Sequence, residues 1–131
     1  MIGIDTNVLV RFLTQDDRAQ AAKVDQLLDA ALSDNERVHV DAVVLCELVW
    51  VLRAAYEMER TAIADALGRL LEASQISVHE RDLVRDAVAR YRKGPGDFAD
   101  YVIALRCRAA GCSATATFDR AHRNDELFSV L

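Results

Sequence analysis

The sequence predicts an α/β protein built on parallel strands, and three observations carry that prediction. Short apolar runs of three or four residues recur along the chain, stretches with helical apolar spacing separate them, and polar helix-starting residues follow several of the runs. Strands that alternate with helices need crossover connections, which lay helices on both faces of a parallel sheet. The composition agrees: 131 residues, 52% hydrophobic and 28% charged with one Pro and five Gly, fit one compact domain spanning 1–131. A chain of this length buries roughly two-thirds of its unfolded surface, so its core needs no disulfide or metal staple.

The elements follow in order. Ile2-Gly3-Ile4 is a first strand, and Asp5-Thr6-Asn7 opens a helix through Val8–Leu13. Residues 19–33 repeat apolar positions at Ala22, Val24, Leu27, Leu28, Ala31 and Leu32, a helical period that Ser33-Asp34-Asn35 ends. Val38-His39-Val40 is the second strand. Asp41 caps the next helix, whose apolar face runs through Val44, Leu45, Leu48, Val49 and Leu52 to about Tyr56. Thr61 is expected to cap a helix reaching Ala73, Ile76-Ser77-Val78 is the third strand, and residues 80–92 are helical. After the Gly94-Pro95-Gly96 break, Asp97 starts a helix that Gly111 closes. Ala114–Thr117 is a further strand, Asp119 opens a short polar helix, and Phe128–Leu131 reads as an edge strand.

Charge and composition narrow the function. With 16 basic residues against 21 acidic ones the formal charge is -5, which excludes a broadly basic surface that coats nucleic acid. Cys46, Cys107 and Cys112 are odd in number and form no C-x-x-C pair, so they are expected as small core residues in a reducing cytoplasm. The N-terminus lacks the pattern of a signal peptide, and no apolar stretch approaches the roughly 18 residues of a membrane span. A soluble cytoplasmic protein is expected.

The carboxylates are more informative. Glu47 lies two turns into its helix, too far in to cap it, within the run Val43-Val44-Leu45-Cys46-Glu47-Leu48-Val49-Trp50. Such an acid faces either solvent or a partner that stabilises its charge, because unpaired burial costs several kcal/mol. Asp97 and Asp100 sit three apart in a first helical turn, where acids also complement the helix dipole. Asp5, Asp100 and Asp119 each lie at or near a strand's carboxyl end or a helix start, where an α/β fold converges its loops. Carboxylates brought that close repel one another unless a cation intervenes, and hard oxygen ligands suit Mg²⁺ or Mn²⁺.

Four stretches together resemble the PIN-domain ribonucleases, and more narrowly the VapC-type toxins of bacterial toxin–antitoxin modules. They are Ile4-Asp5-Thr6-Asn7-Val8-Leu9, Leu45-Cys46-Glu47-Leu48-Val49-Trp50-Val51-Leu52, Asp97-Phe98-Ala99-Asp100-Tyr101-Val102-Ile103-Ala104 and Thr115-Ala116-Thr117-Phe118-Asp119. The resemblance runs from residue 2 to about 131. It implies a three-layer α/β/α sandwich with a short, mostly parallel sheet of four or five strands and about seven helices.

It also implies a Mg²⁺- or Mn²⁺-dependent endoribonuclease with an acidic quartet of Asp5, Glu47, Asp100 and Asp119. Asp97 matches a further acid that can contact metal or simply cap its helix, and Asn7 and Thr117 match supporting polar positions. Two positions depart from the family pattern: Tyr101 stands where an aliphatic residue or Ala is common, and Arg120-Ala121-His122 replaces a basic residue followed by an acidic-aromatic pair. The implied substrate is tRNA or rRNA, and the implied partners are a second copy of the chain and a cognate VapB-type antitoxin.

Arg11, Arg120 and Arg123 are the preferred basic residues for RNA contact. His39, His79 and His122 stand near no nucleophile in sequence and are expected as surface or core residues. Two other readings compete. One is a degenerate PIN domain acting as an RNA- or protein-binding scaffold. The other is a haloacid-dehalogenase-like or receiver-type phosphotransfer domain. The phosphotransfer reading needs a second Asp at position 7, which is Asn, and a late Lys, whereas the only lysines are Lys23 and Lys93.

Overall fold

A computed structural model describes all residues 1–131, which form two compact units, Met1–Arg81 and Asp82–Leu131. In the first unit the order is β1 (Ile2–Gly3), α1 (Thr6–Thr14), α2 (Arg18–Ser33), β2 (Val38–Val40), α3 (Ala42–Ala54), α4 (Arg60–Glu72) and β3 (Ile76–Val78). The three strands lie side by side in the order β1-β2-β3 and run parallel, with Ile2 opposite Val38 and Val38 opposite Ile76. Each strand-to-strand connection is a pair of helices, as parallel pairing requires.

Val38, Val40 and Ile76 are almost fully buried. The apolar face expected for α3 is found at Leu45, Leu48, Val49 and Leu52, and α4 contributes Ile63, Leu67 and Leu70. Each of these large side chains contributes about 1.5–3 kcal/mol when fully buried. Asp41 caps α3 as expected, accepting from Val43 N–H at 2.8 Å. For α4 the expected cap is corrected by two residues: the helix starts at Arg60 with Glu59 at its N-cap, and Thr61 lies inside it.

In the second unit, α5 (Arg81–Lys93), which begins at the last residue of the first, leads to α6 (Phe98–Ala109) and β4 (Thr115–Thr117). A 3-10 helix at Arg120–His122 and β5 (Phe128–Val130) complete the chain. The last strand pairs parallel with β4, Thr115 opposite Phe128, and the 3-10 turn serves as its crossover. Gly111, at φ 100°, follows the end of α6 in the left-handed region, the expected closing role. Within each of the two sheets every strand pairing is parallel, and the strands alternate with six α-helices and one 3-10 helix, the predicted α/β class. Cys46 and Cys107 are half-buried, whereas Cys112, expected in the core, is exposed just beyond α6. No helix is long and apolar enough to cross a membrane.

A polar knot closes the α1–α2 corner. Asp16 accepts from Tyr56 Oη at 2.7 Å, Thr14 Oγ1 at 2.8 Å and Arg11 Nη1 at 2.8 Å. Those hydrogen bonds, from Tyr56 and Thr14 first, and the Arg11 charge lower the Asp16 pKa from 3.8 to about 2. A carboxylate whose pKa is depressed on folding stabilises the fold above its unfolded pKa and loses that effect as pH falls through the folded one. The stability advantage of wild type over Asp16→Asn, measured by denaturant unfolding, is therefore expected to be constant near neutrality and to shrink as pH falls from about 4 toward 2. An advantage that grows in that window contradicts the assignment.

Candidate active site

Asp5, Asp97, Asp100 and Asp119 occupy helix starts for a local reason: short oxygen side chains satisfy backbone N–H groups that a first turn leaves free. Asp5 follows β1 and caps α1, its Oδ1 accepting from Val8 N–H at 3.0 Å. It is exposed, as is Asn7, the second residue of the helix. Glu47 is exposed on the face of α3 opposite the buried one, four residues from Val43 and three from Trp50, which are 58% and 64% exposed. The Glu47 carboxylate is therefore not buried in this chain's own core.

In the second unit the acids cluster. Asp97 is the N-cap of α6, and its N–H donates to Asp100 Oδ2 at 3.2 Å, the reciprocal half of a capping box. Asp119 follows β4 and caps the 3-10 helix, its Oδ1 accepting from Ala121 N–H at 2.9 Å. The Asp119 N–H in turn donates to Thr117 Oγ1 at 3.0 Å, so Thr117 holds the backbone that presents this acid. Donor atoms of Asp100, Asp119 and His122 all lie within 4.8 Å of one another. Two carboxylates at that spacing repel, and a divalent cation between them removes the repulsion. The donor set, two hard oxygens with an imidazole nearby, fits Mg²⁺ or Mn²⁺.

His122 is the buried member of this group, 1% exposed. Its ring stacks on Phe128 with centroids 3.8 Å apart and meets Tyr101 edge-on at 5.6 Å. Its Nε2 lies 3.1 Å from Asp100 Oδ2. The Tyr101 hydroxyl accepts from Gly96 N–H at 3.0 Å, which brings the glycine backbone against the same ring.

A family model described as the PIN domain matches residues 2–125. The chain belongs to the PIN-domain family. It is also 26% identical over 117 residues to a VapC ribonuclease of Aquifex aeolicus (strain VF5), covering 89% of this chain and 86% of that protein.

Within this PIN domain protein, sequence reasoning placed His122 in the core or at the surface and missed its contact with Asp100. The sequence carries a signal only for its neighbourhood to Asp119: a His three residues after an acid that starts a tight helix shares the acid's side of the turn, because 3-10 geometry eclipses i and i+3. The two departures from the family pattern, Tyr101 and His122, pack against each other. Among the candidate RNA contacts, Arg120 and Arg123 are exposed beside Asp119, with Arg123 Nη1 donating to the Arg120 carbonyl at 3.0 Å. Arg11 is committed elsewhere, to Asp16 and, through Nε, to Gln20 Oε1 at 2.7 Å. A groove of about 960 Å³ runs past Tyr101 and Ala121, with Arg90, Lys93 and Arg123 on its rim.

Gly96 makes the His122 seat possible. A Cβ at this position would collide with the imidazole, lying 2.8 Å from Nε2 and 3.1 Å from Tyr101 Cζ. Gly96→Ala is expected to destabilise the protein by about 1–3 kcal/mol through overpacking. Gly68→Ala in α4, where no atom lies within 4 Å of the new Cβ, is expected to stabilise it by roughly 0.5–1 kcal/mol. Thermal unfolding of the two variants checks both signs.

Proposed function

We propose that the chain acts as one PIN domain over residues 1–131 and is a metal-dependent endoribonuclease of the VapC toxin type. The observation that carries this reading is the approach of Asp100 and Asp119 within a chain that the PIN-domain model spans almost completely. The catalytic acids are Asp5, Glu47, Asp100 and Asp119. Asp5, Asp97, Asp100 and Asp119 are the metal-binding set, and Asn7 and Thr117 support them.

The chemistry is hydrolysis of an RNA phosphodiester. A divalent ion supplies Lewis-acid neutralisation of phosphate charge and lowers the proton affinity of water. Asp100 and Asp119 provide the charge that holds it. Glu47, a solvent-facing carboxylate, would complete the outer shell or orient the water; as the water adds to phosphorus its proton passes to solvent and the bond from phosphorus to the leaving ribose oxygen breaks. Arg120 and Arg123 bind flanking phosphates, charge-assisted contacts that position the strand without reading its sequence. Arg11, held at the α1–α2 corner by Asp16 and Gln20, is the third basic residue of the RNA-contact set in this reading.

The substrate is cellular RNA of the tRNA or rRNA class, so the activity inhibits translation in the cytoplasm. A VapB-type antitoxin silences the protein, and the toxin pairs with a second copy of itself. Support for protein partners comes from Val43 and Trp50, large apolar side chains left exposed on either side of Glu47. The negative charge of the acids gives an antitoxin Arg a strong, bidentate target.

Asp5→Asn and Asp100→Asn are expected to lower RNA cleavage on the order of 10²-fold or more, the scale of losing one preorganised electrostatic group. Far-UV circular dichroism and melting temperature should stay close to wild type. Either variant retaining wild-type cleavage in Mn²⁺ contradicts the assignment.

A further inference from the structure

The imidazole of His122 is buried and packed against three groups of this chain. Phe128 covers one face, Tyr101 closes an edge, and the Gly96 backbone leaves no room for even a methyl group beside Cε1 and Nε2. Buried aromatic rings in such a seat have one orientation. Only one of the two ring nitrogens meets a polar partner: Nε2 lies 3.1 Å from Asp100 Oδ2, while Nδ1 is buried with no hydrogen-bond partner.

That asymmetry chooses the tautomer. A proton on Nδ1 alone would be buried without an acceptor and would set the Nε2 lone pair against a carboxylate oxygen. A proton on Nε2 makes a charge-assisted bond to Asp100 instead. The Asp100 carboxylate then receives two donors on the same oxygen, Oδ2: His122 Nε2–H at 3.1 Å and Asp97 N–H at 3.2 Å. With Oδ2 held in this way, Oδ1 keeps its lone pairs for a cation.

We propose that His122 is a positioning residue whose Nε2–H fixes the Asp100 carboxylate for divalent-cation binding. The inference rests on the metal-dependent reading above. It differs from direct ligation by His122, which needs a bare Nε2 and so transfers the ring proton to the orphaned Nδ1. Groups that orient a metal-binding side chain typically change metal affinity by about 10–100-fold. The Tyr101, Phe128 and Gly96 contacts serve the same end by denying the ring any other pose.

The test uses the full chain and Mn²⁺ alone as the probe. In calorimetric titrations His122→Phe, which keeps an aromatic ring in the seat and removes the donor, is expected to weaken the Mn²⁺ Kd by about 10–100-fold. His122→Gln, which restores a donor near the Nε2 position, is expected to recover most of that loss. Wild-type Mn²⁺ affinity in a folded His122→Phe, or no recovery in a folded His122→Gln, overturns the proposal, as does a wild-type chain that binds no Mn²⁺. Nitrogen-15 NMR of the wild-type ring decides the case even where a variant fails to fold: Nε2 protonated, with and without a diamagnetic Mg²⁺ load, is expected, and a bare Nε2 overturns the proposal. The two readings fail separately. Mn²⁺ binding without RNA cleavage removes the ribonuclease and leaves the His122 result standing on its Kd values, whereas cleavage with an indifferent His122→Phe removes only the positioning role.

Discussion

The placement of carboxylates at the starts of helices is the constraint on which both fold and chemistry depend. A strand that ends in an Asp and turns at once into a helix gives that residue one good local position, where its oxygen accepts a first-turn N–H. Asp5 and Asp119 do this, and Asp97 and Asp100 share the first turn of α6. The same carboxylates that end backbone frustration keep a second oxygen at the protein surface. Capping therefore supplies precise placement of acids as a by-product of helix initiation, and mutual repulsion is felt where two of them are drawn close, as Asp100 and Asp119 are.

That pair explains why the second unit spends a buried histidine. A carboxylate at a helix start can rotate, and a metal-binding acid that rotates loses affinity. The stacked ring of His122, closed in by Phe128, Tyr101 and the bare backbone of Gly96, converts a rotatable group into a held one. Thr117 acts one step further out, fixing the Asp119 backbone through its hydroxyl. Order in this region comes from side chains rather than from a long sheet, since β4 and β5 are three residues each.

Much of the architecture was legible because it rests on local signals. The strands at Val38–Val40 and Ile76–Val78 stand at the bounds their apolar runs predict, and Asp41, Asp97 and Asp119 begin the helices they were expected to begin. The α4 cap was misread because Thr61 has the stronger intrinsic preference, while the chain enters the helix two residues earlier at Glu59 with no side-chain cap bond. Cys112 was misread because composition treats every free Cys as a core residue, whereas this one follows a helix end. Arg11 was legible as a candidate for RNA contact, but only the fold brings Asp16, Gln20 and Tyr56 around it. The His122 contact depends on a chain reversal between α6 and the 3-10 turn that no periodicity encodes.

The central claim is that these acids serve a metal-dependent ribonuclease. Its most direct measurement is cleavage of total cellular RNA by the purified chain, with fragment ends mapped by sequencing, in Mn²⁺, after chelation and after Mn²⁺ is restored. The account predicts cuts at a small set of positions that disappear on chelation and return with the ion. Cuts that persist under chelation, or intact RNA under all three conditions, contradict it.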